Sequence, residues 1–378
     1  MAGIYIHVPF CSSRCIYCDF YSTTHSKTMR DAYVDALLEE MVERRDELGG
    51  EVIKTIYFGG GTPSLLSFKQ LERILHTVRA TFHIDEEAEI TLEVNPDDVT
   101  MQTASDWRCL GFNRVSMGVQ TFSNSILHLL RRRHTAETVS EAVSHLRHVG
   151  IWNITLDLIY GLPGQTLDIW KEDVRQIFEL PLKHLSAYAL SYEEGTMLTR
   201  MRDQHVIQEA DEETIRTMYL YLVQQAKEHG FEHYEISNFA LPGYYSRHNS
   251  SYWSGVPYLG FGPSAHSYDG VSHRRANHAD LLAYIKSPGN PPCYIENLMP
   301  SQLFEEYLLT RMRTSKGISK NFVLENYGEK VLERLLELAQ SHLYRGNLLE
   351  EGDILKLSLE GVLISDYIIS DLMGAVDD

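Results

Sequence analysis

Strand-like apolar runs alternate with amphipathic stretches through the first 230 residues of this 378-residue chain. Six such units in series predict a parallel sheet with right-handed helical crossovers. Six units are too few for a closed eight-stranded barrel. The pattern therefore predicts an α/β fold, a partial (β/α)6 TIM-like barrel with one open side. The predicted strands are 3–8, 53–58, 89–94, 114–119, 153–159 and 184–190, and the predicted helices are 29–48, 67–82, 103–110, 136–149, 167–180 and 211–228.

The length of the chain exceeds what a single core usually supports, so further units are expected after the barrel. Residues 231–292 are predicted to cover the open side, and the Pro- and Gly-rich stretch 287–292 reads as a linker. Beyond it, helix candidates at 303–313 and 331–338, a strand at 354–359 and a final apolar helix resemble a winged-helix module. The predicted domains are therefore a core over 1–230, a covering segment over 231–292 and a small C-terminal winged-helix-like α+β domain over 293–378.

The chain carries 52 acidic and 34 basic residues, a formal net charge of −18. Nucleic-acid binding needs a dense basic face, and anionic lipid attracts basic segments, so both partners are disfavoured. The first residues form neither a basic nor a long apolar region, which predicts no signal peptide. No apolar run approaches the length of a membrane span. We therefore expect a cytoplasmic protein without an integral membrane segment.

Three cysteines lie close together in sequence, at Cys11, Cys15 and Cys18, just after the first predicted strand. Three thiolates on one tight loop can hold three irons of a four-iron, four-sulfur cluster and leave the fourth iron open to a small molecule. Tyr17 and Phe20 flank the last cysteine and are expected to shield the cluster from water. A zinc knuckle and a redox pair are the alternatives. Zinc normally takes four ligands in paired spacings, and a disulfide would leave one cysteine over.

The chain has five cysteines, an odd number that indicates a reducing compartment and not a disulfide scaffold. Cys109 and Cys293 stand alone. Each is expected to be a small buried apolar residue.

Polar residues and glycines follow the ends of successive predicted strands, where β/α folds keep their ligand sites. Gly59-Gly60-Gly61-Thr62-Pro63 follows the second strand and would let backbone groups approach a ligand. A tight turn is the alternative for this loop, and a core hydrogen-bonding role is the alternative for each polar residue. A solvated charge run is the alternative for the stretch that contains Arg132. The polar candidates are Glu93, Gln120, Asp157 and Arg132.

The cysteine spacing, followed by this glycine loop, resembles the radical S-adenosylmethionine (SAM) superfamily. The resemblance implies that the open iron binds the amino and carboxylate groups of SAM, and that the cluster can donate an electron that splits its sulfonium. It also implies the partial barrel. The implied cluster ligands are Cys11, Cys15 and Cys18, and the implied SAM contacts are Tyr5, Tyr17, Gly60, Gly61, Thr62, Glu93, Gln120, Arg132, Asp157 and Ala189.

Longer segments resemble a narrower family, the oxygen-independent coproporphyrinogen III oxidases and the related HemW heme chaperones. They include Tyr-Ile-His-Val-Pro-Phe-Cys, Gly-Val-Gln-Thr-Phe and Asp-Leu-Ile-Tyr-Gly-Leu-Pro-Gly. Two features favour the chaperones: Phe20 stands where the oxidases carry another cysteine, and the segment from His248 to Trp253 matches a His-Asn-x-x-Tyr-Trp signature. Histidine is a good axial ligand for heme iron, and aromatic rings suit the macrocycle. The implied heme contacts are His248, Asn249, Tyr252 and Trp253.

The resemblance thus implies a heme chaperone that carries a 4Fe–4S cluster and exchangeable SAM and passes heme to an acceptor, such as a respiratory heme protein. The sequence does not establish whether SAM is cleaved, and no catalytic residue is assigned. The alternative function is oxidative decarboxylation of porphyrinogen propionates, as in the oxidases. A radical SAM enzyme that acts on an unrelated small molecule is the third possibility.

Overall fold

The structure is a computed structural model that describes residues 1–24 and 27–376. Residues 2–189 alternate strands and helices as the sequence predicts, and the predicted α/β class is confirmed. The elements in chain order are β1 (Ala2–Val8), α1 (Lys27–Glu43), β2 (Ile53–Gly60), α2 (Phe68–Thr81), β3 (Ile84–Val94), α3 (Met101–Leu110), β4 (Arg114–Gln120), α4 (Asn124–Leu129), α5 (Ala136–His148), β5 (Asn153–Tyr160), α6 (Leu167–Glu179) and β6 (His184–Ala189).

The middle of the chain adds short strands and four helices before the C-terminal unit. They are α7 (Met197–Asp203), α8 (Glu212–Glu228), β7 (Glu232–Glu235), β8 (Asn238–Ala240), α9 (Arg247–Trp253), β9 (Tyr258–Phe261), β10 (His266–Tyr268), β11 (His273–Asn277), α10 (Leu281–Lys286) and β12 (Cys293–Asn297). No helix in the described ranges is both long enough and apolar enough to cross a membrane.

All twelve of these strands form one sheet, in the order β12-β11-β10-β9-β1-β2-β3-β4-β5-β6-β8-β7. Strands β1 to β6 are consecutive neighbours and run parallel. The segment 231–292, expected to cover the open side, is divided between the two edges of the sheet. It supplies β7 and β8 beside β6, and β9 to β11 beside β1. β12 then pairs with β11, so residues 293–297 extend this sheet. Within the described residues the sheet does not close into a barrel.

Side chains alternate between the two faces of each parallel strand, because successive residues of a strand point to opposite sides. On one face, aliphatic residues such as Ile4, Ile6 and Leu156 are fully buried in the hydrophobic core. On the other face, cross-strand neighbours are polar, and Glu93 lies opposite Ser116 while Asp157 lies opposite Ser186. This polar face is the one that positions the candidate site.

A buried ion pair ties helix α1 to the strands added beside β1. Glu40 accepts hydrogen bonds from Arg44 (2.8 Å), Asn277 (2.8 Å) and Tyr284 (2.6 Å). Arg44 also donates to the Gly260 carbonyl (2.8 Å). A buried charge is tolerated only when it is paired and hydrogen-bonded. Here Arg44 directly follows α1, Asn277 lies on β11 and Tyr284 lies on α10. The network therefore fixes β9 to β11 and α10 against the core.

The C-terminal unit has its own hydrophobic cluster, which runs from Phe304 to Ala375. Its element order is helix, strand, two helices and a two-stranded hairpin, as the winged-helix-like prediction expects, and its three strands form a separate antiparallel sheet. The elements are α11 (Pro300–Met312), β13 (Ile318–Ser319), α12 (Lys320–Tyr327), α13 (Glu329–Tyr344), β14 (Leu348–Glu351), β15 (Ile354–Leu357), α14 (Leu359–Val362) and α15 (Ser365–Met373).

Candidate functional site

A cavity of about 530 Å³ lies at the carboxyl ends of the parallel strands. Its wall is made by the cysteine loop after β1, the glycine loop after β2, and the ends of β3 to β6. All but one of the residues that the sequence assigned to SAM line it. These are Tyr17, Gly60, Gly61, Thr62, Glu93, Gln120, Arg132, Asp157 and Ala189, and the three motif cysteines line the same cavity.

Tyr5 is the assigned residue that does not line the cavity. Its ring is stacked on Tyr57, with centroids 6.2 Å apart, and its hydroxyl lies 3.1 Å from Nδ1 of His7. Tyr5 therefore supports the cavity wall from behind, through Tyr57. The prediction of a direct SAM contact by Tyr5 stays a prediction.

The cysteine loop is closed by backbone hydrogen bonds and receives two side-chain donors. The Cys11 N–H donates to the Thr23 carbonyl (2.9 Å), which fixes the start of the loop. Thr62 donates to Sγ of Cys11 (3.6 Å), and Nη1 of Arg132 donates to Sγ of Cys15 (3.5 Å). Donors of this kind stabilise negative charge on sulfur and tune an iron–sulfur centre. Two of the three sulfur atoms of the loop, those of Cys11 and Cys15, thus receive a side-chain hydrogen bond.

The three motif cysteines do not form a single-ion site. Within residues 1–24 and 27–376, no three His, Cys, Asp or Glu side chains are grouped closely enough to hold one metal ion. Thiolates that each bind a different iron of a cubane stand farther apart than the ligands of one ion. Burial, together with the two neighbouring thiols, raises the pKa of Cys18 to about 11. The geometry therefore gives no support to one zinc ion held by three of these side chains, and ligation of a 4Fe–4S cluster by Cys11, Cys15 and Cys18 stays a prediction.

The glycine loop is packed so tightly against β1 that side chains would not fit. A Cβ on Gly61 would lie 2.7 Å from the Phe10 carbonyl oxygen. Gly60 has a φ of +104°, and its Cβ would lie 2.6 Å from the ring of His7. The glycines are therefore required by the close packing of a tight turn, and because Gly60 and Gly61 also line the cavity, their contact with a ligand stays a prediction.

Two half-buried carboxylates, Glu93 and Asp157, occupy the polar face of the sheet. Glu93 accepts a hydrogen bond from the Tyr57 hydroxyl (2.7 Å) and one from the Gly60 N–H (3.2 Å). Asp157 accepts from Ser116 (3.2 Å). Burial raises the pKa of Glu93 to about 7 and that of Asp157 to about 6. Such carboxylates are costly in an empty site and favourable beside a cationic ligand, so they indicate where a cation binds.

Arg132 joins the cysteine loop to the ends of β3 and β4. Besides Cys15, it donates to the Asn95 side chain (2.8 Å) and to the Gly118 carbonyl. Gln120, the last residue of β4, has a φ of +71°, a backbone conformation that costs energy for residues other than glycine. The Arg132 side chain is engaged and not a solvated charge, which rules out the charge-run alternative for this residue.

The strained turn at Gln120 is held by a buried carboxylate on helix α6. Asp173 is only 1% exposed, and it accepts hydrogen bonds from the Thr121 hydroxyl (2.8 Å), the Phe122 N–H (2.7 Å) and the Gln165 amide (2.9 Å). Sequence reasoning missed Asp173, because an aspartate in an amphipathic helix gives no signal that it is buried.

Replacing Asp173 with alanine is expected to lower the free energy of unfolding by about 3 kcal/mol, because it leaves three buried donors without an acceptor. Asp168→Ala is the matched control, since Asp168 lies on the same helix and is exposed. Urea unfolding of the three proteins measures the difference. An equal loss for both variants would mean that Asp173 does not hold the turn.

The His-Asn-x-x-Tyr-Trp segment forms helix α9, which packs on the polar face at the amino end of the strands. His248 is 1% exposed, with Nδ1 2.8 Å from the Thr55 hydroxyl and Nε2 2.8 Å from the Tyr252 hydroxyl. Its ring also stacks on Tyr57 (5.0 Å between centroids). Asn249 lines the cavity. Iron ligation by His248 would therefore require one of these hydrogen bonds to break, and its role as a heme ligand stays a prediction.

Trp253, the last residue of this signature, does not line the cavity. Its ring lies under the guanidinium of Arg313, 5.5 Å from the centroid, at the contact with the C-terminal unit. Tyr252 packs edge-on against Tyr258 (4.7 Å). The heme contacts assigned to Tyr252 and Trp253 also stay predictions.

Several lining residues were not assigned from the sequence. Those on the strands alternate with buried aliphatic residues, so the period-two pattern of each strand was the signal that could have found them. They include Tyr57, Arg114, Ser116, Ser186 and Tyr188, and Asn95 directly follows β3.

The expectation that Cys109 and Cys293 are buried is wrong, because Cys109 is exposed and Cys293 is only partly buried.

Comparison with known proteins gives consistent results. The family model of the radical SAM superfamily matches residues 5–177. The heme chaperone HemW of Lactococcus lactis is 36% identical over 87% of this chain and 88% of its own, and HemW of Bacillus subtilis is 31% identical over 99% and 100%. Coproporphyrinogen III oxidase (HemN) of Escherichia coli superposes with a TM-score of 0.85 at 23% identity, over 98% of this chain and 89% of that one, so it shares the fold.

Proposed function

Because this chain belongs to the HemW family of heme chaperones, within the radical SAM superfamily, we propose that it binds heme and hands it to an acceptor protein. The observation that carries the proposal is similarity to HemW chaperones over nearly the whole chain. In this chain, the three-cysteine loop opens onto a cavity that is lined by charged side chains. The oxidases share the fold, but Phe20 stands where they carry a further cysteine. An acceptor heme protein is the partner that this proposal requires.

We propose that Cys11, Cys15 and Cys18 hold a 4Fe–4S cluster at the edge of the cavity. When bound, such a cluster supplies an electron and one iron that is free to coordinate the amino-acid end of SAM. Arg132 orients the loop, because it binds Cys15 and the end of β4 together. Glu93 and Asp157 supply the negative charge that a cationic sulfonium and ammonium need in a site shielded from water.

The proposal predicts that anaerobically purified, cluster-loaded protein binds heme at about one equivalent per chain. Titration followed by the Soret absorbance and by retention on a size-exclusion column measures it. Failure to reach a defined stoichiometry would refute the chaperone proposal.

The oxidase activity is tested separately. Reduced protein is incubated with SAM and coproporphyrinogen III, and we expect no vinyl-bearing product. Accumulation of that product would favour the oxidase function over the chaperone function.

The role of His248 is tested by its spectrum. If His248 binds iron, His248→Ala changes the Soret and visible bands of the heme complex. If its bonds to Thr55 and Tyr252 persist in the complex, the bands stay as in the wild type and the protein loses stability instead.

A further inference from the structure

The mouth of the cavity, beside the cysteine loop, is both apolar and cationic. We define the cavity mouth by the lining residues Arg14, Asp19, Phe20 and Arg131, which are all exposed. Phe20 was expected to shield the cluster loop from water, but its side chain is 64% exposed. A single exposed aromatic ring is common on protein surfaces, but at the edge of a cavity such a ring offers a flat apolar face against which a ligand can pack.

The two arginines of the cavity mouth have no partner within the described part of the chain. Neighbouring Arg133 is paired with Asp97 (2.9 Å) and Asp98 (3.0 Å), and Arg132 is engaged with the cysteine loop. Arg14 and Arg131 make no side-chain hydrogen bond or ion pair with residues 1–24 or 27–376. In a chain with a net charge of −18, two unpaired cations at one cavity edge indicate an anionic ligand.

The backbone brings these two arginines to the same place. The Ile16 N–H donates to the Leu130 carbonyl (3.4 Å), so the loop that carries Arg14 runs beside the turn that carries Arg131. Phe20 follows Cys18 in the same loop, and its side chain lines the same cavity as Arg14 and Arg131. A flat apolar ligand with paired acidic groups would meet the ring with its face and the guanidinium groups with its edge.

Arg131 is held in a strained conformation. It follows the short helix α4 with a φ of +59°, at a position where helices usually end on glycine, and the Arg132 N–H closes the turn on the Leu127 carbonyl (2.9 Å). A non-glycine residue in the left-handed region costs energy, and such residues collect at functional sites. The backbone alone would favour glycine here, so the presence of arginine points to a use for its side chain.

We propose that the cavity mouth is the heme-docking surface, with Phe20 against the macrocycle and Arg14 and Arg131 binding the propionates. The inference rests on the proposed function. The cavity itself, at about 530 Å³, would be taken by the cluster and SAM, which leaves a porphyrin-sized ligand to the mouth. Asp19 is the carboxylate of this surface, and it opposes an anionic ligand.

The test compares heme with its dimethyl ester, which has the same macrocycle without the propionate charges. Cluster-loaded Arg131→Gly is expected to bind heme about threefold to tenfold more weakly and the ester as the wild type does. Arg14→Gln should behave in the same way, whereas Phe20→Ala should weaken both ligands about tenfold. Asp19→Asn should strengthen heme binding alone.

The control for backbone strain is His205→Gly. His205 has a φ of +58° after helix α7, in the same kind of turn, and it does not line the cavity. Both glycine variants should keep or slightly raise the melting temperature, because relief of the left-handed strain offsets the greater freedom of glycine in the unfolded chain. Only Arg131→Gly should lower heme affinity.

The outcomes separate the two proposals. If the wild type binds heme and every variant of the cavity mouth binds it equally well, the docking surface is wrong and the chaperone function stands. If the wild type binds no heme, both are wrong. If the arginine variants weaken heme and its ester alike, propionate recognition by Arg14 and Arg131 is overturned.

Discussion

Replacing any one of Cys11, Cys15 or Cys18 with serine is expected to abolish the proposed 4Fe–4S cluster, because in this proposal each thiolate is the sole protein ligand of one iron. We expect iron and sulfide after anaerobic reconstitution to fall from about four per chain to near the background of the apoprotein. The EPR signal of the reduced cubane should disappear with them. Chemical analysis and EPR of dithionite-reduced samples measure both quantities.

Two other cysteines provide matched controls. Cys109→Ser and Cys293→Ser change thiols that lie outside the cavity lining, so they should keep the full iron content and the EPR signal. Retention of a full cluster in any of the three motif variants would contradict the ligand assignment. Zinc in place of iron in the wild type would restore the zinc-knuckle alternative.

The same variants separate cluster assembly from folding. The cysteine loop is closed by backbone bonds, such as Cys11 N–H to the Thr23 carbonyl, which serine preserves. The circular dichroism spectrum and the melting temperature of the cluster-free variants should therefore stay close to those of the wild-type apoprotein. A variant that loses both cluster and fold would show that the thiol is needed for packing.

The parallel core could be predicted because its signals are local. Each strand from β1 to β6 is a short apolar run bounded by turn residues, and each helix between them has an apolar stripe. The glycine loop and the cysteines follow strand ends directly. Since parallel strands bring their carboxyl ends to one edge, residues such as Glu93 and Asp157 were placed correctly without long-range information.

The parts that were not predicted depend on contacts between distant segments. His248 reaches the sheet through a hydrogen bond to Thr55, far away in sequence, and nothing near His248 records this. The placement of residues 258–286 beside β1 depends on the network around Glu40, whose partners Gly262, Asn277 and Tyr284 lie more than 200 residues away in sequence. The exposure of Phe20 could not be predicted for a similar reason. The sequence shows that this residue is apolar, but it does not show which other residues cover it.

Glu93→Gln is expected to stabilise the apoprotein at pH 8. Burial raises the pKa of Glu93 from 4.5 to about 7. A carboxyl with a higher pKa in the folded than in the unfolded chain lowers stability as pH rises from about 4.5 to 7, and the penalty is constant above that range. Each pKa unit is worth about 1.4 kcal/mol. The variant should therefore gain roughly 2 kcal/mol at pH 8, allowing for the lost bond from Gly60, and less than about 1 kcal/mol at pH 5.

Urea unfolding at the two pH values measures this difference. Glu87→Gln is the matched control, because Glu87 is an exposed carboxylate on the same strand. It should change stability by less than about 0.5 kcal/mol at either pH.

Ionisation of Glu93 lowers the stability of the apoprotein as pH rises, but it should raise the affinity for SAM. A cationic ligand binds the ionised form, so the wild-type affinity should rise about tenfold per pH unit below 7 and level off above it. Glu93→Gln should bind SAM more weakly and lose this pH dependence, which anaerobic calorimetry at pH 6, 7 and 8 can measure. A residue that costs stability in the empty site and returns it as affinity is positioned for a ligand. If Glu93→Gln instead destabilised the protein at pH 8 and left SAM affinity unchanged, the carboxylate would serve only as an acceptor for Tyr57 and Gly60.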